Sequence, residues 1–371
     1  MCGTMRDMAE NTRASKRRVV TQRDVAEAAG VDRATVSRAL DPKKRLLISP
    51  DTIERVLSTA EQMGYRTNLL ARGLRTARSG VIGLEIPGNN YDAASLLDKP
   101  VSSFVTSVEE RLAQRGLTLL VTFAHASPGE AASDRFTSNG MIDGLIKLYT
   151  GGQPGPNEST QIPLVSVGLD PDPTYDLVIH EGRGIEIAVE HLHRMGHRRI
   201  GLVCEPPSQA RGERHLRAYR NSIDRLGLLA KGEEEPVAYY HQRHPASAPK
   251  AVEMLSVLTP RPTAIVLTDD KAAMGAYGVL RVQRVQIPQE VSLVGWSDSD
   301  AGLFLIPPLT TIALPMRSTA FAATDLLLER IDGAAAAATP RRIFDPYLVQ
   351  RASTAPPSHE VVTTGLPTQT P

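Results

Sequence analysis

Residues 20–40 read VTQRDVAEAAGVDRATVSRAL. Thr21 is suited to cap a helix, and Asp24 stands three residues on, as a capping box requires. Val20 and Val25 occupy the two staple positions around that cap. Val25 and Ala29 share a helical face at i, i+4. Gly30 then stops the helix, because a left-handed turn costs glycine nothing. Asp32 caps a second helix over Arg33 to Leu40, with Val36 and Leu40 facing inward. Two helices joined by a glycine-containing turn of about three residues make a helix-turn-helix. The second of them is expected in the DNA major groove. Arg33, Ala34 and Arg38 then face base edges, where an arginine bonds guanine bidentately for about 1–3 kcal/mol of discrimination and an alanine meets only a thymine methyl. Thr21, Thr35 and Ser37 are short hydroxyls suited to phosphates, which position without specifying.

Moving outward, Ser49-Pro50 opens a third helix, with Ser as cap and Pro in the first turn. Its apolar positions Ile53, Val56, Leu57 and Ala60 follow i, i+3, i+4, i+7, and Gly64 ends it. The charge agrees with a head that meets a polyanion. Residues 1–78 carry 16 Lys/Arg against 9 Asp/Glu, while the remainder carries 26 against 32. A net charge of +1 hides a basic head on an acidic body.

After Ser79 the pattern changes. Apolar strand-type runs occur at 81–86, 117–123, 144–148, 164–167, 200–204, 263–267 and 292–294. Helical stretches lie between, at 104–114, 185–195 and 272–282. Such alternation implies βαβ units and parallel sheets, with ligands bound beyond the carboxyl ends of the strands. The 371 residues are too many for one ordinary domain. Cys2 and Cys204, the only cysteines, make neither a disulfide framework nor a metal cage. No apolar run reaches the length of a membrane helix, and no apolar segment precedes a cleavage site. A cytoplasmic protein without membrane attachment is the expectation.

Three runs carry a family resemblance: residues 20–40 above, then ISPDTIERVLSTAEQMGY (48–65), then NLLARGLRTARSGVIGL (68–84). Together they closely resemble the lactose/galactose repressor (LacI/GalR) family. The likeness covers roughly residues 19–351. It implies an N-terminal all-α helix-turn-helix domain followed by a two-lobed α/β domain of the periplasmic-binding-protein type. The matching stretches of the body are VEHLHRMGHRRIGLV (189–203), TAIVLTDDKAAMGA (263–276) and VSLVGWSDSDAGLFLIPPLTTI (291–312). The implied organisation is a flexible basic extension (1–18), a DNA-binding domain (19–66), a hinge helix and linker (67–78), an effector-binding and dimerisation domain (79–351) and a disordered tail (352–371). The second strand set begins near Ile179, and the chain returns to the first lobe near Leu309.

The resemblance further implies function. A homodimer presents two recognition helices and two hinges to a pseudo-palindromic DNA operator, most simply as a repressor. Asn68 touches phosphate. Ala71 and Arg72 line the minor groove and Leu74 wedges into the central step, kinking the duplex. A small-molecule effector, a sugar or sugar derivative, lies between the lobes. By position, Asp270 bonds its hydroxyls and Trp296, the only tryptophan, stacks on it, with Asp298 and Asp269 as weaker candidates. The family pattern of an arginine four residues before an aromatic is altered around Tyr219. His215 stands at the arginine's place, with Arg214 one residue earlier and Ala218 for the usual glycine. Thr67 replaces the usual proline, Leu314 a polar group, and the loop at Asn89–Tyr91 is longer.

Other chemistries find little support. On a helix His191 and His193 point about 200° apart, so they share no ligand face, and the EHL…GHRRI pattern of the family accounts for them structurally. Gly182-x-Gly184 is not a dinucleotide fingerprint. Neither a Gly-x-Ser-x-Gly elbow nor a phosphate loop is present. No enzyme, no cofactor and no metal are therefore expected. A solute-binding protein of a sugar transporter would explain the body alone and leaves the head unexplained. A regulator that needs a corepressor in place of an inducer stays open.

Overall fold

The computed structural model describes residues 20–40, 44–65, 78–87, 98–124, 137, 140–149, 162–169, 175–230, 232–241, 247–333 and 341–358. The chain divides into two compact units, 1–77 and 78–371.

In the first unit three helices pack together: α1 (Gln22–Ala29), α2 (Arg33–Leu40) and α3 (Pro50–Gln62). The capping box at Thr21 forms in full. Thr21 Oγ1 accepts from the Asp24 amide, and the Asp24 carboxylate accepts from the Thr21 amide. Gly30 takes φ 63°, the left-handed region, and closes α1. Asp32 caps α2 by accepting from the Thr35 amide at 2.7 Å. Val25, Ala29, Val36, Ala39, Val56 and Ala60 make the core. Ala39 is one of the two buried positions of α2, and Leu40 is only half-buried. Ser49 precedes α3 without a side-chain cap bond to the backbone and pairs instead with the Thr52 hydroxyl.

In the second unit two six-stranded sheets form two lobes. The first sheet has the order β11-β5-β4-β3-β1-β2, built from β1 (Val81–Pro87), β2 (Thr118–Ala124), β3 (Gly144–Leu148), β4 (Leu164–Gly168), β5 (Leu177–Ile179) and β11 (Arg342–Phe344). All its pairings are parallel. Helices α4 (Lys99–Ala113) and α9 (Met316–Ile331) pack on it and on each other. Arg111 forks both Asp325 oxygens, at 2.9 and 2.8 Å, across that helix pair.

The second sheet has the order β12-β10-β9-β8-β6-β7, built from β6 (Ile200–Cys204), β7 (Val237–Tyr239), β8 (Ala264–Leu267), β9 (Ser292–Trp296), β10 (Thr310–Ala313) and β12 (Tyr347–Val349). Only β12 runs antiparallel. Helices α5 (Glu181–Arg194), α6 (Ala210–Leu226), α7 (Ser247–Ser256) and α8 (Asp270–Val282) cover it. Strands such as β3 and β6 are buried at every residue, as parallel strands between helical layers must be. None of the described helices is long and apolar enough to cross a membrane.

Three expectations are corrected. Ile179 ends β5 of the first sheet, so the second lobe begins at α5 and not at that strand. Leu309 leads into β10 of the second sheet, and the chain returns to the first lobe only at Met316, where α9 starts. The segment 352–358 is no loose tail. Ser353 and Thr354 are buried, and Ser353 donates to the Leu293 carbonyl at 2.6 Å while accepting from the Thr310 amide at 2.8 Å. His191 and Thr354 share a 3.1 Å hydrogen bond, and His197 binds both the Thr263 hydroxyl and the Ala355 carbonyl at 2.9 Å. These histidines fasten the segment 352–358 to the second lobe.

Candidate functional site

The first candidate surface lies on α2. At 100° per residue Arg33, Ser37, Ala34 and Arg38 fall within an arc of about 140°, and Val36 and Ala39 point the other way into the core. Arg33, Ala34 and Arg38 are exposed, and Ser37 is half-buried. The two threonines serve the fold first. Thr21 Oγ1 donates to Asp24 Oδ2 at 2.7 Å, and Thr35 Oγ1 donates to Asp32 Oδ2 at 3.0 Å. A hydroxyl has one proton, so a donated phosphate contact from either has to replace its cap bond. The Thr35 amide and hydroxyl hold the exposed Asp32 carboxyl below its ordinary range. Asn68, Ala71, Arg72 and Leu74 lie outside the described residues, as do Thr67 and the loop at Asn89–Tyr91.

The second site is a cavity of 390 Å³ between the two lobes. Val101, Leu148, Leu169 and Met316 line it from the first lobe, and Glu181, Arg211, Asp269, Asp270 and Trp296 from the second. It sits beyond the carboxyl ends of β3, β4, β8 and β9, where parallel sheets place ligands.

Asp270 lies at the cavity but is 1% exposed. Its Oδ1 accepts from the Trp296 amide at 2.7 Å and from Thr311 Oγ1 at 3.0 Å, and its Oδ2 accepts from the Ser299 amide at 2.6 Å. Between those two amides Ser297 and Asp298 adopt φ 89° and 52°, left-handed values rare for residues with a side chain. Asp270 therefore holds a strained turn together. Burial raises its pKa above the ordinary value, against the lowering effect of those donors. Gly295 is obligatory for the approach, because a Cβ there would lie 2.3 Å from Asp270 Oδ1.

Trp296 does not offer an open stacking face. Its ring is 1% exposed and belongs to the second-lobe core, 4.9 Å from the His215 ring. The stacking expectation is corrected accordingly. Trp296 still lines the cavity, and its indole Nε1 has no hydrogen-bond partner.

His215 is fully buried and does not reach the cavity lining. Burial first, then Arg211 and Arg214, push its pKa well below the usual value, so it stays neutral. Arg214 bonds Glu181 Oε2 at 3.0 Å. The guanidinium at the cavity is instead Arg211, one turn earlier, which the sequence reading passed over. It pairs with Glu205, lies 3.5 Å from Glu181 and donates to the Thr268 carbonyl at 2.8 Å. Asp298 is held by Arg351 and by Lys99 at 3.3 Å. Leu314 lines the cavity as an apolar wall.

Ion pairs bridge the lobes at the mouth. Lys99 of α4 meets Asp300 at 3.0 Å as well as Asp298, and Lys271 of α8 meets Asp98. Burial tends to lower both lysine pKa values, but these carboxylates outweigh it and hold them above the ordinary value. Among the described residues no group of three or more His, Cys, Asp or Glu is arranged to hold a metal.

The comparisons with known proteins match both parts of the chain. Residues 21–68 match the model of bacterial regulatory proteins of the lacI family, and residues 189–354 match a periplasmic binding protein-like domain. The HTH-type transcriptional regulator MalR of Streptomyces coelicolor is 30% identical over 348 residues, spanning 90% of this chain and 96% of that protein. The lac repressor dimer bound to operator and an anti-inducer superposes with a TM-score of 0.73 at 24% identity, covering 91% of this chain and 99% of that one. The complex of the transcriptional regulator CelR with cellobiose superposes with a TM-score of 0.61 at 25% identity, covering 90% and 99%.

Proposed function

Because the chain belongs to the LacI family of bacterial regulatory proteins, and is a DNA-binding transcriptional regulator, we propose that it is a repressor that binds a pseudo-palindromic operator as a homodimer and answers to a carbohydrate-type effector in the interlobe cavity. The observation that carries this reading is the pairing of an exposed Arg33/Ala34/Arg38 face on α2 with a carboxylate-lined interlobe cavity in the same chain.

A dimer has a surface to use. Met254, Val257, Met274, Val282, Phe304 and Ile306 are exposed apolar residues on α7 and the turn after it, on α8, and in the loop after the 3-10 turn at 300–303. These elements are neighbours, and the relative named above is a dimer on its operator. Two-fold symmetry then presents one recognition helix to each half-site. The hinge reading adds Asn68, Ala71, Arg72 and Leu74 at the centre of the operator.

The cavity bridges both lobes, so a ligand that fits one lobe arrangement better shifts the balance between arrangements, a coupling of about 1–3 kcal/mol. Its carboxylates accept hydroxyl donors, which suits a polyol.

The testing experiment is a fluorescence-anisotropy titration of the full chain on selected duplexes at stated salt. Arg38→Ala is expected to weaken discrimination at one base pair per half-site by about 1–3 kcal/mol. Leu74→Ala is expected to weaken specific binding while leaving ligand binding intact. Equal affinity of Arg38→Ala and the parent for all single-base variants sinks the recognition-face assignment.

A further inference from the structure

We infer that the interlobe cavity takes a hydroxylated ligand bearing a protonated amino group, with the ammonium on Asp269 and Asp270 and a hydroxyl oxygen on the Trp296 indole. The inference rests on the effector-cavity reading above and names the chemistry of that ligand.

Five carboxylates and three cations line the cavity: Asp98, Glu181, Asp269, Asp270 and Asp300 against Lys99, Arg211 and Lys271. All three cations are already committed. Lys271 pairs with Asp98, Lys99 with Asp298 and Asp300, and Arg211 with Glu205 and Glu181. Behind the wall Glu205 shares Arg211 with Glu181, which Arg214 also bonds, and Asp298 pairs with Arg351, so across these side chains the surplus of two negative charges stands. It falls on Asp269 and Asp270, neither of which forms an ion pair among the described residues.

Asp269 caps α8, its Oδ1 accepting from the Lys271 amide at 2.7 Å, and its Oδ2 has no protein donor among the described residues. Burial raises the pKa of both carboxyls. A phosphate or carboxylate entering this space would meet no uncommitted cation and the two surplus carboxylates, of which Asp269 feels Arg211 and Lys271, both paired elsewhere. An ammonium supplies the missing charge and its donors.

A second observation points to a ligand on its own account. The indole N–H of Trp296, a residue that lines the cavity, is buried without an acceptor. A buried donor without a partner is costly, and a ligand hydroxyl oxygen satisfies it. The ligand class is thus one with both an ammonium and hydroxyls, as in an amino sugar.

The test is calorimetric titration of the full chain with glucose and galactose, and with the 2-amino, 6-phosphate and aldonic acid forms of each. On at least one skeleton the amino form is expected to bind more tightly than the neutral sugar by on the order of tenfold. The phosphate and acid are expected to be weaker than either. The amine's affinity falls as pH drops into the carboxylate range, because protonating Asp269 and Asp270 removes the charge it meets. Asp269→Asn keeps a good capping residue, so it leaves the fold in place and is expected to erase the amine's advantage over the neutral sugar. Tighter binding of the phosphate or acid, or equal binding of amine and neutral sugar, overturns the inference and leaves the carbohydrate-cavity reading intact. Silence across all eight compounds overturns both.

Discussion

Replacing Asp270 by Asn separates a residue that merely waits for ligand from one that builds the site. The carboxylate serves three protein donors: Oδ1 takes the Trp296 amide and the Thr311 hydroxyl, and Oδ2 takes the Ser299 amide. An amide side chain has one acceptor oxygen. If that oxygen takes the place of Oδ1, the NH₂ faces the Ser299 N–H across 2.6 Å. The reverse orientation strands the Trp296 amide. Either way one charge-assisted bond is lost, worth about 1.5–3 kcal/mol, and a buried amide is left unpaired. Removing the charge recovers part of its burial cost, so the net loss is about 2 kcal/mol. For a unit the size of 78–371 that is about 3 °C in Tm. The assay is thermal unfolding of ligand-free wild type and Asp270→Asn by circular dichroism. An unchanged or raised Tm refutes the claim that Asp270 holds the 296–299 turn.

Three further outcomes follow from the packing. Burial lowers the pKa of His191, His197 and His215 below the ordinary 6.5. The unfolded chain therefore binds protons that the native chain refuses. The stability from these groups is complete above about pH 6.5 and is lost as pH falls below it. Urea midpoints across that range test this, and His197→Gln should flatten the slope. Gly184→Ala drives a Cβ to 2.6 Å from the Trp296 ring. Overpacking of this kind costs about 1–3 kcal/mol, and a red-shifted emission from the sole tryptophan reports the displaced ring. Asp32→Ala removes the cap of α2 and is expected to destabilise that helix by about 1 kcal/mol. Faster hydrogen exchange at the Thr35 and Val36 amides is the readout.

Local signals were legible in the sequence and distant ones were not. Thr21, Asp24, Gly30 and Asp32 act within three or four residues of themselves, so their roles could be read from spacing alone. Strands β3 and β6 were delimited to the residue, because parallel strands buried on both faces show as apolar runs, broken in β3 only by Lys147. Ala39 escaped because Leu40 is the larger apolar residue, although Ala39 shares a face with Val36. Strand-helix alternation placed a ligand site at the carboxyl ends of the strands, but the cavity's residues were visible only by family position. Asp270's three donors come from 26, 29 and 41 residues further on, so its structural duty has no local signature. Arg211 was missed for the same reason: Glu181 and Glu205 converge on it from separate elements. The binding of 352–358 likewise depends on histidines some 160 residues earlier.

The proposed function requires that two copies of this chain read DNA as a symmetric pair of helix-turn-helix units. The most direct measurement is selection from a pool of random duplexes with the purified full chain, followed by sequencing of what is retained. The expected result is enrichment of one motif with two inverted half-sites, whose centre spacing is fixed and whose selection is lost in Arg33→Ala/Arg38→Ala. No enrichment over input, or a single half-site without its inverted partner, would contradict it.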